Sequence, residues 1–171
     1  LWFGAVMEGR GDLALATARR IAKRGSTSTS GFAQYRRALP IHTLARFERW
    51  ADVLAEPPSS DKGFTARSLD GHARALALLH TGQLAAARAL QAEIAQLTPP
   101  QGKNDGSELL RSMHSIVLSR LTAELAQRDG RSDAAVAAAQ AAVAGEDAFE
   151  GREPPRLAAM ARQAQGQLLL S

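Results

Sequence analysis

A glycine-centred corner recurs along this chain and restricts its fold more than any other feature of the sequence. Gly11, Gly82 and Gly130 each lie between two helix-forming stretches, in MEGRGDLALATARRIA, LHTGQLAAARALQAEI and QRDGRSDAAVAAAQAAV. Glycine permits the tight reversal that joins two antiparallel helices. Small residues recur seven positions before and five positions after these corners: Gly4, Ala75 and Ala123, then Ala16, Ala87 and Ala135. Because small residues let paired helices approach closely, the sequence predicts an array of helical hairpins.

The composition favours an all-α fold and excludes several kinds of site. The chain is 45% hydrophobic and only 5% aromatic, and its abundant Ala, Leu, Arg and Gln are good helix formers. Alternating β-branched runs, which are typical of strands, do not occur. The sequence has no Cys, which excludes disulfides, thiolate metal sites and cysteine nucleophiles. Its apolar stretches are short and amphipathic, so we expect no membrane span.

The net charge of +4 does not predict a nucleic-acid partner. A basic protein can bind nucleic acid through a concentrated patch, but here Arg is interspersed with Asp and Glu. The densest basic stretch, Arg19-Arg20 with Lys23-Arg24, lies at a predicted helix end, where cations complement the helix dipole.

Polar loops and Pro-Pro pairs divide the chain into successive hairpins. We predict a single helical repeat domain over 1–171, with hairpins at about 1–24, 32–56, 64–98 and 107–145 and a final half repeat at 155–171. Pro40 lies inside the second hairpin, so its first helix either begins or kinks there. Glu48 takes the corner in place of Gly, and Trp50 is expected to pack inward. The chain begins inside a helical pattern without a leader, so we expect a fragment of a larger protein and favour a cytoplasmic location.

The spacing of the corners resembles that of the tetratricopeptide repeat family. Corners at 11, 48, 82 and 130 are separated by 37, 34 and 48 residues, against the 34 of that repeat. The resemblance implies a right-handed superhelical array of antiparallel helix hairpins, a tetratricopeptide-like α-solenoid. Ile41 and Val53 depart from its small-residue positions. Segments such as LARFERWADVLAEPP and GHARALALLHTGQLAAARAL are also similar to a group of long bacterial tetratricopeptide proteins without an assigned activity.

The same resemblance implies which residues line a concave groove. In a tetratricopeptide array the first helix of each hairpin faces the groove, about two, three, six, ten and thirteen residues before the corner. These offsets give a polar set: Tyr35, His42, Arg46, His72, His80, Arg120, Glu124, Gln127 and Arg128. Forked guanidinium donors suit carboxylates. We therefore expect a scaffold that binds an acidic or carboxylate-ended segment of a protein or peptide partner.

Other functions have less support from the residues. A small-molecule or metal-sensing module of a multidomain regulator is the alternative, but His72 and His80 lie eight residues apart on one helix, about 12 Å, and cannot share an ion. We predict no catalytic residue, no resident metal and no cofactor, because no nucleophile elbow, paired carboxylate or phosphate loop occurs. The apolar terminus LLLS adds the possibility of a homodimer through an exposed terminal helix.

Overall fold

Helices account for nearly all of the ordered secondary structure. The computed structural model describes residues 1–24, 30–102, 105–148, 161–162 and 165–166, with residues 105 and 106 described by their backbone alone. Within this part there is no strand, and the all-α prediction is confirmed. Eight helices run along it: α1 (Trp2–Met7), α2 (Gly11–Arg24), α3 (Gly31–Arg46), α4 (Trp50–Ala55), α5 (Phe64–His80), α6 (Leu84–Ala95), α7 (Asp105–Arg128) and α8 (Ser132–Asp147). Most of the predicted half repeat at 155–171, and the loop residues 25–29, lie outside the described residues.

The helices pack as antiparallel pairs that also contact their neighbours. Hairpin 1 is α1 with α2, hairpin 2 is α3 with α4, hairpin 3 is α5 with α6, and hairpin 4 is α7 with α8. The second helix of each hairpin packs against the first helix of the next. In addition, α3 contacts α5, α5 contacts α7, and α3 contacts α7 directly. The first helices of hairpins 2, 3 and 4 therefore form one group.

One hydrogen-bonded corner closes all four hairpins. Its central residue has a left-handed backbone, with φ of 71° at Gly9, 55° at Glu48, 82° at Gly82 and 69° at Gly130. The central N–H donates to the carbonyl three residues back, and the following N–H donates to the carbonyl five residues before itself, as in Arg49 to Leu44 (3.0 Å). This pair of bonds is the Schellman motif. In every hairpin the second helix begins two residues after the left-handed residue.

The first corner lies two residues earlier than the sequence suggested. Gly9, not Gly11, has the left-handed conformation, and Gly11 is the first residue of α2. The small residue that follows the corner is accordingly Ala14, which is fully buried, whereas Ala16 is exposed. No atom lies within 4 Å of a Cβ built on Gly4, so Gly4 does not mediate a close approach.

With the corner of hairpin 1 at Gly9, the residue five positions after the corner is equivalent in every hairpin. We call this position the seam position. The residue five positions after each corner is 0% exposed: Ala14, Val53, Ala87 and Ala135. The Glu48 corner that the sequence assigned without glycine is confirmed by its φ of 55°. Val53 occupies the seam position in hairpin 2, so a larger side chain is accommodated there.

The hydrophobic core is divided among the contacts between hairpins. One cluster joins hairpins 1, 2 and 3: Leu15, Ile41, Leu44, Ala45, Val53, Ala73 and Ala77. Another joins hairpins 3 and 4 around Leu76 and Leu121, both 0% exposed. Trp50 packs against both clusters, which confirms its predicted inward direction.

Helix α3 runs through Pro40 and begins well before it. Its first residue is Gly31, and the Ser30 hydroxyl accepts a hydrogen bond from the Ala33 N–H at 3.3 Å, which caps the helix. Pro40 is buried within the helix. Among the described residues no helix combines the length and apolarity needed to cross a membrane.

Candidate functional site

A row of basic residues ends the first helices of three successive hairpins. Arg46, His80 and Arg128 are the last residues of α3, α5 and α7, each two positions before its corner. We call these three residues the basic row. Arg46 is partly buried, whereas His80 and Arg128 are exposed. The common register follows from the corner, because the left-handed residue fixes where each first helix stops.

His80, the middle member of the basic row, is held by one ring face and by one ring nitrogen. The His80 ring stacks on Trp50 with 4.4 Å between the ring centroids and 2° between the planes. Its Nε2 is 2.7 Å from Oε2 of Glu124, and the other oxygen of Glu124 accepts from Nε of Arg120 at 3.2 Å. Burial alone would raise the pKa of Glu124, but the hydrogen bond from His80 and the charge of Arg120 lower it overall. Glu124 therefore stays ionised and links α5 to α7.

Below the basic row, two histidines are enclosed by protein. His42 and His72 are 7% and 1% exposed, and their rings stack with 5.9 Å between centroids and 18° between planes. Burial, together with the nearby charge of Arg120, lowers the pKa of His42 to about 4 and that of His72 well below its usual value. Both imidazoles are therefore neutral near pH 7.

The contact between α3 and α7 explains this burial. Sequence offsets placed His42 and His72 facing an open groove, but the first helices of hairpins 2 and 4 touch across hairpin 3. Arg120 on α7 is thereby brought close enough to His42, on α3, to lower its pKa. The two histidines lie beneath the surface, whereas His80 and Arg128 of the basic row are exposed.

Two further charged residues complete this interior group. Burial lowers the pKa of Arg46, as does the like charge of Arg120, while Glu146 raises it. Burial raises the pKa of Glu146, although one of its carboxylate oxygens accepts the Ala161 N–H at 2.9 Å. We call His42, His72, Arg46, Arg120 and Glu146 the polar centre.

Buried polar atoms without a hydrogen-bond partner are concentrated in the polar centre. They are Nε2 of His42, both ring nitrogens of His72, Nε of Arg46 and Oε2 of Glu146. In the described residues the one other buried side-chain atom of this kind is Oγ1 of Thr65. Because an unpaired buried polar group costs about 1–3 kcal/mol, such a concentration marks a candidate ligand site.

The remaining predicted groove residues lie around this centre. Tyr35 is partly buried against a cluster that contains Ala38, Leu69 and Val117, and its ring centroid is 6.1 Å from that of Phe32. Gln127 is partly buried next to the exposed Arg128. The structure thus brings together most of the predicted set, with its histidines deeper than the sequence implied.

Glu146 and His114 are the polar residues that sequence reasoning left out. The sequence carries no signal that α8 brings Glu146 near Arg46 of α3 and Arg120 of α7. His114 is buried, its Nδ1 lies 2.7 Å from the Ser68 hydroxyl, and its ring packs against Phe64. Burial lowers the pKa of His114. This pair satisfies two polar groups inside the core and is separate from the polar centre.

Comparison of the chain with protein-family models, with curated proteins and with solved structures gives no match. The basic row and the polar centre are therefore the features that indicate a function.

Proposed function

We propose that this chain is a right-handed superhelical array of tetratricopeptide-like hairpins that binds an acidic segment of a protein or peptide partner. The role is one of binding rather than catalysis. The ligand is a carboxylate-rich or carboxylate-ended stretch that lies along the basic row. The polar centre and the Glu124 network hold the helices that carry this row.

The repeated corner supports the array. Four hairpins use the same main-chain hydrogen bonds, and each packs on the next through its first and second helices. Repeat arrays of this kind form extended surfaces from units that contact only their neighbours, and such surfaces commonly bind partner chains. The direct contact between α3 and α7 departs from this pattern, because hairpins 2 and 4 are not neighbours along the chain.

The observation that carries the proposal is the equivalence of the basic row. Arg46, His80 and Arg128 end three first helices at one register position. The C-terminal end of a helix carries a partial negative charge. That charge partly offsets the positive charge of a Lys or Arg side chain at the same end. Even so, two guanidinium groups at equivalent positions offer forked donors to successive carboxylates of an extended segment.

The test uses synthetic acidic peptides, each made with a free and with an amidated C-terminus. We expect binding by the unmodified chain and at least tenfold weaker binding by the Arg46→Glu/Arg128→Glu double variant, because charge reversal repels the peptide. Lys23→Glu is the matched control, since Lys23 is an exposed cation in the last turn of α2, a second helix. Equal affinity of the double variant and the unmodified chain would overturn the proposal.

A small-molecule sensing role is the second candidate, and the polar centre favours it. Each of its unpaired atoms is buried, including Nε of Arg46. Among the described residues no group of three or more His, Asp or Glu is arranged to hold a metal ion, and the two guanidinium groups repel a cation. The ligand of this candidate is therefore organic rather than a metal.

A further inference from the structure

The unpaired atoms of the polar centre include both donors and acceptors. A neutral imidazole has one N–H and one lone pair. His42 uses one ring nitrogen in a hydrogen bond to the main chain of Leu69 that raises its pKa, as a carbonyl acceptor does. Nε2 of His42 is therefore left as an acceptor, while His72 offers one donor and one acceptor.

Arg46 and Glu146 add an opposite pair of charges. Nε of Arg46 is an unpaired donor and Oε2 of Glu146 an unpaired acceptor. The charge of Glu146 raises the pKa of Arg46, yet the two side chains do not form an ion pair in the described part of the chain. A ligand that suits this arrangement carries a negative group for Arg46 and a positive group for Glu146. A simple anion leaves the acceptors unpaired, and a simple cation leaves the donors unpaired.

Arg120 is the common neighbour of all these groups. Its charge acts on His42, His72, Arg46 and Glu146, so these four side chains surround a single position on α7. The charge of Arg120 itself is partly neutralised by Glu124 at 3.2 Å. Burial is graded across the group, with both histidines enclosed and with Arg46 and Glu146 partly exposed. The two histidines are therefore the innermost members of the group, and Arg46 and Glu146 lie nearer the surface.

We infer that the polar centre binds a small zwitterion, a free amino acid or a closely related amino carboxylate. Its carboxylate accepts hydrogen bonds from Arg46 and Arg120, and its ammonium donates to Glu146 and to a lone pair of the histidines. The unpaired atoms are buried, so binding requires the side chains of the polar centre to move apart. This inference rests on the small-molecule candidate and supplies its ligand class.

The experiment measures the shift in melting temperature and the binding isotherm of the chain with each free amino acid. A ligand that binds only the folded state raises the melting temperature. We expect at least one amino acid to bind, and its N-acetyl and its carboxamide derivatives to bind at least tenfold more weakly. Each derivative removes one of the two charges that the polar centre recognises.

Variants locate the binding in the polar centre. Arg46→Met and Glu146→Gln remove one charge each at similar size, and each is expected to weaken binding at least tenfold. Lys23→Met is the matched control, because Lys23 is an exposed cation of α2 that belongs to neither the polar centre nor the basic row. Circular dichroism and the melting temperature without ligand confirm that each variant is folded.

Three results overturn the inference, and they separate it from the proposals on which it depends. If a neutral polyol binds and is lost in Arg46→Met, the small-molecule role stands and the zwitterion is wrong. If neither amino acids nor polyols bind, the small-molecule role is wrong as well. If an amino acid binds equally to Arg46→Met and Glu146→Gln, the site is elsewhere. Peptide binding is read separately through Arg128→Glu, which leaves the polar centre unchanged.

Discussion

At the scale of single residues, the chain places neutral histidines beside fixed positive charges. The sequence predicts that His42 and His72 face the same groove, because they lie on first helices six and ten residues before their corners. Their burial is not predictable from the sequence, since it depends on how closely α3 and α7 approach each other across α5. The same limitation applies to Glu146, whose position follows from the direction of α8 and not from its local pattern.

The lowered pKa of His42 predicts a loss of stability in mild acid. The unfolded chain binds a proton near the ordinary value of 6.5, whereas the folded chain does so only near 4. Stability from this residue is therefore fully present above about pH 6.5 and decreases as the pH falls, by roughly 3 kcal/mol near pH 4. Glu146, with a raised pKa, changes stability in the opposite direction, and Glu124, with a lowered pKa, in the same direction.

The measurement is urea unfolding of the unmodified chain and of His42→Asn between pH 7 and pH 4. The contributions of Glu146 and Glu124 are common to both proteins, so the difference between the two curves reports His42 together with its effect on the pKa of the stacked His72. We expect a shallower dependence on pH for His42→Asn. Parallel curves would show that His42 titrates alike in the folded and unfolded chain.

At the scale of helices and turns, the corner is the element that the sequence specified best. Gly82, Gly130 and even Glu48 were assigned to it, because helix-forming residues on both sides leave few other positions for a reversal. The error at hairpin 1 has a local cause. The stretch EGRGD contains two glycines, and Ala14 and Ala16 offer two possible seam residues, so spacing alone cannot choose between Gly9 and Gly11.

The left-handed backbone of Glu48 predicts that glycine stabilises this corner. A residue with a Cβ costs about 1–2 kcal/mol in that conformation, and glycine avoids the cost. We expect Glu48→Gly to raise the free energy of unfolding by about 1 kcal/mol. Gly82→Ala, the reciprocal change at φ of 82°, is expected to lower it by a similar amount. Chemical denaturation measures both, and a loss of stability in Glu48→Gly would mean that the Glu48 side chain contributes more than its backbone costs.

At the scale of the whole molecule, packing contacts are distributed unevenly among the helices. Helix α5 packs against α3, α4, α6 and α7, and it contains the fully buried Leu76 and the nearly enclosed Leu69. Helix α1 has six residues and packs mainly against α2. The succession of hairpins was predictable from the sequence, but this concentration of contacts at hairpin 3 was not, because it depends on contacts of α5 with α3 and α7, which are distant in the sequence.

This distribution predicts a gradient in native-state hydrogen exchange. Amides of α5 are expected to exchange only through global unfolding, and those of α1 through local opening at a much lower free energy. Exchange measured as a function of low denaturant concentrations distinguishes the two. Equal opening free energies in α1 and α5 would mean that the described hairpins unfold as one cooperative unit.

The contact between α3 and α7 has a consequence for how the chain can vary. His42 belongs to hairpin 2, His72 to hairpin 3 and Arg120 to hairpin 4, so the polar centre is shared by three consecutive units. Duplication or deletion of one hairpin would separate these residues even where every corner stays intact. A variant of altered length would therefore keep its architecture and lose its chemistry, and hairpin number itself becomes a condition for the site.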